Sequence, residues 1–282
     1  MDNSYAMHNF KKNNYVLFGN PVAHSKSPFI HNFFSKQIGI VYNYQSIKVP
    51  IFDFSDTVSN FFKYDGVGAN VTAPFKEQAY LLSDQLTDCA KISQSVNTLK
   101  KINHNTLLGD NTDGIGLLSD LIRLNFIKKN FSILILGAGG AVRGILFHLL
   151  TFGCSVYILN RTFLNAKKLV LQFNQFGNIK VFDDSIIKKK FDLIINAISR
   201  NNNIKKDFFP VSLVSSKTFF YDMNYHVSNT VFINWCIEIG ANYVADGIGM
   251  LILQAAHSCF FWHGILPEIS PLIQQLEKKC FL

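Results

Sequence analysis

Residues 131–162 read FSILILGAGGAVRGILFHLLTFGCSVYILNRT, and this stretch decides how the rest of the chain is read. Phe131–Leu136 is a continuous apolar run, too short for a helix and stopped by glycine, as expected of a parallel strand buried on both faces. Gly137-Ala138-Gly139-Gly140-Ala141 follows, then an apolar segment at helical spacing that ends near Gly153. A second apolar run, Cys154–Leu159, stops at Asn160-Arg161-Thr162. Strand, glycine turn, helix and strand within about 30 residues make a βαβ unit of the dinucleotide-binding type.

The glycines have a chemical reason. A pyrophosphate needs backbone N–H groups close by and a helix N-terminus directed at it, and side chains would block that approach. The third position of the G-x-G-x-x-G pattern is Val142, bulkier than the small residue expected there. About 20 residues beyond the glycines, a site for NAD carries an acid that bonds the ribose 2′-hydroxyl. Here the position is Asn160, Arg161 follows, and no acid occurs between Asn160 and Phe182. A carboxylate would repel a 2′-phosphate, whereas a guanidinium grips it with paired, charge-assisted bonds. The expected cofactor is NADP(H); an ordinary solvated loop arginine is the competing reading.

Length and composition set the wider frame. At 282 residues two domains are expected. With 48% hydrophobic and 16% charged residues the chain is globular, not disordered. The net charge of +8 is spread as lysine pairs without an aromatic-interleaved basic stripe, so no nucleic-acid partner is expected. It suits an anionic cofactor and a small anionic substrate. Five cysteines without CxxC spacing read as free thiols, and the polar N-terminus lacks an apolar signal core, so a cytoplasmic protein with a frayed extension over residues 1–14 is expected. Gly247–Leu266 carries no formal charge but contains Gln254, His257, Ser258 and His263; a core helix with a polar face is expected, not a membrane span. No metal site is expected.

Ahead of the βαβ unit, Tyr15–Gly19 reads as a strand, and Ser27 before Pro28 as a helix start with a capping hydroxyl. Ser25 and Ser27 would stand at that helix N-terminus, as plain caps or as receivers of a carboxylate. Val41–Val49 and Gly66–Thr72 read as strands, with a helix around Ile51–Phe62 between them, and Pro74 opens the next helix. Lys76 therefore falls in a first turn, the end that the helix dipole makes unfavourable for a cation; such a lysine is either exposed or held for a purpose. Ser95–Leu99 and Thr106–Gly109 look like a hairpin. Asp113 begins a helix, where the dipole favours a carboxylate without any function. After the βαβ unit come a helix near Phe163–Phe176 and strands at Ile179–Phe182, Phe191–Asn196, Phe219–Asp222 and Val244–Asp246. The alternation continues the parallel sheet.

The stretches GNPVAHSKSP, NVTAPFKE, SVNTL, LLGDNTDGIG, LGAGGA, LNRT, INAIS, YDMNY and ADGIGMLILQAAH, in this order from residue 19 to residue 257, together resemble the shikimate dehydrogenase family. The resemblance implies an α/β protein of two domains. One is an α/β substrate domain from residues 1–112 plus 248–282. The other is a Rossmann-type, doubly wound parallel-sheet nucleotide domain from residues 113–247, with crossings near Asp113 and Gly247. It implies reversible reduction of 3-dehydroshikimate to shikimate by NADPH in aromatic amino-acid biosynthesis, by a monomer or homodimer.

By matching position, Lys76 resembles the family's catalytic lysine and Asp113 its partner. Substrate contacts would come from Ser25, Ser27, Asn70, Thr72, Asn97, Tyr225 and Gln254. Cofactor contacts would come from Gly137, Ala138, Gly139, Gly140 and Ala141, from Asn160, Arg161 and Thr162, and from Met223 and Gly247, with Asp88 near the cofactor. Asn165 stands where the family often has a basic residue, which leaves Arg161 as the main group for the 2′-phosphate. INAIS continues with Arg200 and Asn201 where the family has a small-residue loop, and Ala73 replaces a larger apolar residue. An NAD-using quinate/shikimate dehydrogenase and a silent nucleotide-binding module are the alternatives.

Overall fold

The computed structural model describes residues 14–64, 66–103, 106–183, 189–198, 211–226 and 228–276. The expected extension up to residue 13, the loop from Ser199 through Arg200 and Asn201, and Cys280 lie outside them. The chain divides into two compact units: one runs to Asn111 and takes up Ser258–Glu268, the other comprises Thr112–His257 and the segment from Ile269. The second boundary falls inside a helix, later than the crossing expected at Gly247.

The first unit contains β1 (Asn14–Gly19), α1 (Ser27–Gln37), β2 (Asn43–Lys48), α2 (Phe54–Tyr64), β3 (Gly66–Val71), α3 (Lys76–Leu82), β4 (Gln85–Leu86), α4 (Asp88–Ser93), β5 (Thr98–Asn103) and β6 (Thr106–Asp110). Its sheet runs β2-β1-β3-β5-β6-β4. β1 pairs in parallel with β2 and β3, while β5 is antiparallel to both β3 and β6. Asn14 belongs to β1 and is buried, so the chain is already ordered one residue inside the expected extension. The core on one side is aromatic: Phe54 stacks on Phe75 at 4.6 Å, and Phe18 meets Phe61 edge-on at 5.5 Å. Each such ring, fully buried, stabilises by about 1.5–3 kcal/mol.

Local starts differ from expectation in three places. Lys26 is the residue ahead of α1 and makes no side-chain cap; Ser27 is already helical, because its backbone N–H and hydroxyl are taken up by Ser25. α3 begins at Lys76, two residues beyond Pro74, since the Phe75 N–H first closes a turn onto the Thr72 carbonyl at 3.0 Å. The hairpin strand begins at Thr98, not Ser95. Three elements carried no periodic signal: β4 is too short, α4 is a single capped turn and a half, and a helix at Val231–Glu238 is apolar on both faces.

The second unit contains α5 (Asp113–Arg123), β7 (Ser132–Leu136), α6 (Gly140–Thr151), β8 (Ser155–Leu159), α7 (Phe163–Phe173), β9 (Ile179–Val181), β10 (Leu193–Asn196), β11 (Phe219–Asp222), α8 (Val231–Glu238), β12 (Tyr243–Ala245), α9 (Ile248–His263), whose last residues belong to the first unit, and α10 (Ser270–Leu276). All the strand pairings are parallel, in the order β12-β11-β10-β7-β8-β9. That is the doubly wound order, with β7 and β10 flanking the point where the winding reverses. Ile133–Leu136 and Leu193–Ile195 are inaccessible to solvent. The continuous apolar runs are explained by burial on both faces. No described helix is long and apolar enough to cross a membrane.

Candidate active site

In the first unit, the end of β1 and the loop after β3 approach closely. A Cβ on Gly19 would lie 2.3 Å from Thr72 Cγ2 and 2.6 Å from Val22 Cγ1, so only glycine admits both neighbours. The Thr72 N–H bonds the Phe18 carbonyl at 2.9 Å. Ser25 and Ser27 meet at the N-terminus of α1, their hydroxyls 3.1 Å apart, with Ser27 buried and Ser25 half-buried. The two hydroxyls and the positive dipole end of α1 make an arrangement suited to a carboxylate.

Lys76 is the first residue of α3 and half-buried. Its carbonyl accepts the Val96 N–H at 2.9 Å, and the next N–H, of Asn97, bonds the Asp110 carbonyl at 3.0 Å. Val96–Asn97 thus ties the start of α3 to the end of β6, from which Asn111 and Thr112 lead to Asp113. Asn70 and Asn97 are brought together in a buried polar cluster. Asn70 Oδ1 accepts the Tyr44 hydroxyl at 2.8 Å, and its Nδ2 reaches the Asn97 carbonyl (3.2 Å), Thr98 Oγ1 (3.0 Å) and Ser258 Oγ (3.0 Å). Asn97 Oδ1 accepts the Thr98 hydroxyl at 2.9 Å. Both ends of the Asn70 amide are therefore engaged by protein, a role in shaping the cluster that the sequence did not reveal. Asp88 is exposed at the start of α4, 3.5 Å from Lys91.

In the second unit, Gly137 has φ +114°, a backbone that side chains rarely adopt, and a Cβ there would come within 3.2 Å of the Ala197 carbonyl. Its N–H bonds the Leu159 carbonyl at 2.8 Å, pinning the turn across β8. At Gly139 and Gly140, by contrast, a Cβ would meet no protein atom within 4 Å. The space over the N-terminus of α6 is open, as a bound diphosphate requires. Val142 is fully buried in the first turn of α6, so its extra bulk is absorbed by packing. At the end of β8, Asn160 Nδ2 bonds the Thr162 carbonyl at 2.9 Å, and Arg161 is exposed. These residues fit an NADP: glycines and helix end for the diphosphate, an accessible guanidinium for the 2′-phosphate.

Met223 and Gly247 are brought into contact: a Cβ on Gly247 would lie 2.4 Å from the Met223 carbonyl oxygen. Tyr225 follows on the same loop, half-buried. What holds this loop is Asp222, which the sequence reading passed over. It is inaccessible to solvent; Oδ1 accepts from Asn196 Nδ2 (3.0 Å), the Asn224 N–H (3.0 Å) and Asn224 Nδ2 (2.9 Å), and Oδ2 accepts the Thr230 hydroxyl. Burial pushes its pKa up, against the pull of these hydrogen bonds. The available signal was an acid closing an apolar strand, FFYD, with asparagines nearby. Asp113 is buried as the first residue of α5, and Gln254 lies on α9 with Nε2 bonded to the Leu251 carbonyl at 2.8 Å.

Comparison with known proteins agrees across both units. Residues 17–99 match the family model described as shikimate dehydrogenase substrate binding domain, and residues 122–223 match shikimate / quinate 5-dehydrogenase. A protein of Buchnera aphidicola subsp. Schizaphis graminum, shikimate dehydrogenase (NADP(+)), is 63% identical over 270 residues, covering 95% of this chain and 98% of its own. Among solved structures, shikimate dehydrogenase from Aquifex aeolicus superposes with a TM-score of 0.85 at 30% identity, covering 96% of this chain and 100% of its own. The Thermus thermophilus enzyme in complex with NADP(H) and shikimate superposes with a TM-score of 0.79 at 28% identity, covering 93% and 97%.

Proposed function

The chain belongs to the shikimate dehydrogenase family, and from that membership we propose that it reversibly reduces 3-dehydroshikimate to shikimate with NADPH, in aromatic amino-acid biosynthesis. The observation that carries the proposal is the 63% identity, over nearly the whole of both chains, to a shikimate dehydrogenase (NADP(+)).

NADPH, when bound, supplies the hydride. Gly137–Ala141 and the N-terminus of α6 would hold its diphosphate, Arg161 with Asn160 and Thr162 its 2′-phosphate, and Met223 and Gly247 would be further contacts. Hydride addition to a ketone builds negative charge on oxygen, which needs a proton donor and a cation. Lys76 Nζ would provide both, and Asp113, by its matching position in the family, is the partner assigned to it in the proton step. In the first unit Ser25 and Ser27 are assigned to the substrate carboxylate and Asn70, Thr72 and Asn97 to the ring hydroxyls; in the second unit Tyr225 and Gln254 are substrate contacts by matching position. Asp88, exposed in the first unit, has the weakest support as a cofactor contact. The proposed functional division is residues 1–112 with 248–282 as the substrate domain and 113–247 as the nucleotide domain, while 248–257 and the segment from Ile269 pack with the second unit. Free thiols at Cys89, Cys154, Cys236 and Cys259 support a reducing compartment, and the cytoplasm is part of the proposal, as is action as a monomer or homodimer.

A quinate activity is the second reading, favoured by the family description that names both substrates. One spectrophotometric assay separates them, comparing shikimate with quinate and NADP+ with NAD+. The expected kcat/KM with NADP+ exceeds that with NAD+ by about tenfold or more, the worth of one charge-assisted bond to the 2′-phosphate. Equal values would refute the cofactor assignment, and preference for quinate would replace the substrate.

A further inference from the structure

Two glycines let the helices carrying Asp113 and Gln254 meet backbone to backbone. A Cβ on Gly116 of α5 would stand 2.8 Å from Gln254 Cβ and 2.9 Å from Gln254 N. One turn further along α5, Asp120 reaches the start of α9: a Cβ on Gly249 would stand 2.3 Å from both its carboxylate oxygens. Numbers rise along α5 while they fall along α9, so the two helices run antiparallel. A seam of glycines permits close approach, but without interdigitating side chains it resists sliding poorly.

A buried polar anchor supplies the missing restraint. Asp120 and Tyr221 are both inaccessible to solvent. Asp120 Oδ2 accepts the Tyr221 hydroxyl at 2.6 Å, and the same hydroxyl oxygen accepts the Met250 N–H of the first turn of α9 at 3.3 Å. Asp120 Oδ1 accepts Arg123 Nε at 2.8 Å and Nη2 at 2.7 Å. One carboxylate thereby joins α5, β11 and α9, beside a helix N-terminus whose dipole favours it. Burial, with Asp120 alongside, pushes the Tyr221 pKa well up, so its proton stays available as the donor. A buried ion pair adds little stability over a well-packed apolar group of the same volume; what it can supply is a unique arrangement.

We propose that Asp120 and Tyr221 are positioning residues that lock α5 against α9 in one register and so place Asp113 relative to Gln254 for the reaction. The inference rests on the reading of Asp113 and Gln254 given above. A slip of one helical turn moves a residue by about 5.4 Å, and a misplacement of about 1 Å already costs up to roughly a hundredfold in rate.

The test is Tyr221→Phe in the full-length enzyme, with kcat, KM for shikimate and for NADP+, the pH profile, Tm, and the shikimate Kd by calorimetric titration. The expected result is a fall of about ten- to hundredfold in kcat/KM for shikimate, weaker shikimate binding, a moved pH limb and a KM for NADP+ near that of the parent. Asp120→Asn, which preserves side-chain size, gives the same pattern and carries the test should Tyr221→Phe be insoluble. A lowered Tm with unchanged kinetic constants, or equal losses toward both substrates, overturns the inference. A parent enzyme that does not oxidise shikimate overturns the functional reading, and this inference with it.

Discussion

The Tyr44 hydroxyl donates at 2.8 Å to Asn70 Oδ1, the oxygen of an amide whose Nδ2 lies within reach of three acceptors. A flipped amide would set its oxygen against the Asn97 carbonyl, so that carbonyl selects the orientation and the Tyr44 hydroxyl satisfies the oxygen left facing it, in a buried cluster that also holds Thr98 and Ser258. In Tyr44→Phe, Asn70 Oδ1 loses its buried donor. The expected loss of stability is about 1–3 kcal/mol, read as a lower urea midpoint with an unchanged slope. An unmoved midpoint would show that water or a shifted side chain takes over the acceptor.

Lys76→Ala removes the proposed proton donor while leaving its backbone bond to Val96 available. The expected fall in kcat is roughly 10²–10⁴, the usual contribution of a positioned acid. Cofactor affinity, measured by NADPH fluorescence, should stay near that of the parent. Near-normal turnover would remove Lys76 from the mechanism.

Arg161→Ala should erase cofactor discrimination selectively. The side chain is exposed, so its loss costs little stability. A charge-assisted bond of about 1.5–3 kcal/mol corresponds to a rise of roughly ten- to hundredfold in KM for NADP+, with KM for NAD+ little changed. Parallel changes in both constants would mean that another group reads the phosphate.

Acid should destabilise the first unit through His31. Its ring is fully buried, stacked on Tyr44 at 4.2 Å, with Nδ1 3.4 Å from the Tyr42 hydroxyl. Burial pulls its pKa down to about 3, with His263 acting in the same direction and Asn70 against it. The unfolded chain keeps a value of about 6.5, so between these values it binds more protons than the folded one. This contribution is fully present above about pH 6.5 and is lost as pH falls toward 3, at up to about 1.4 kcal/mol per pH unit. Melting temperatures across that window should fall less steeply for His31→Gln than for the parent. Identical slopes would assign the acid sensitivity to other groups.

The nucleotide-binding half was legible because its signals are local. An all-parallel sheet writes each central strand as an unbroken apolar run, and the turn after β7 can only be made with glycine at Gly137. The mixed sheet of the first unit was harder to read, because β4 and α4 are too short for a period to show; in the second unit α8 has apolar residues on both faces. Lys76, Asp113 and the paired serines could be placed in first turns from local pattern, but their positions alone admitted a plain structural reading, and only the family resemblance implied roles for them. Asp120, Tyr221 and Asp222 could not be singled out. An acid next to a strand or on a helix face reads as solvated until the fold shows it buried.

The order of the longer strands and helices, the glycine turn, the Asn160-Arg161 pair and the family motifs were determined by the sequence alone. They depend on neighbours within a few residues of each other. The Asn70 cluster, the loop bonds of Asp222 and the contact of Gly116 with Gln254 were decided only by the tertiary structure. Each includes a bond or contact between residues far apart in the chain, and whether a buried polar atom finds its partner is a property of packing that no local pattern encodes.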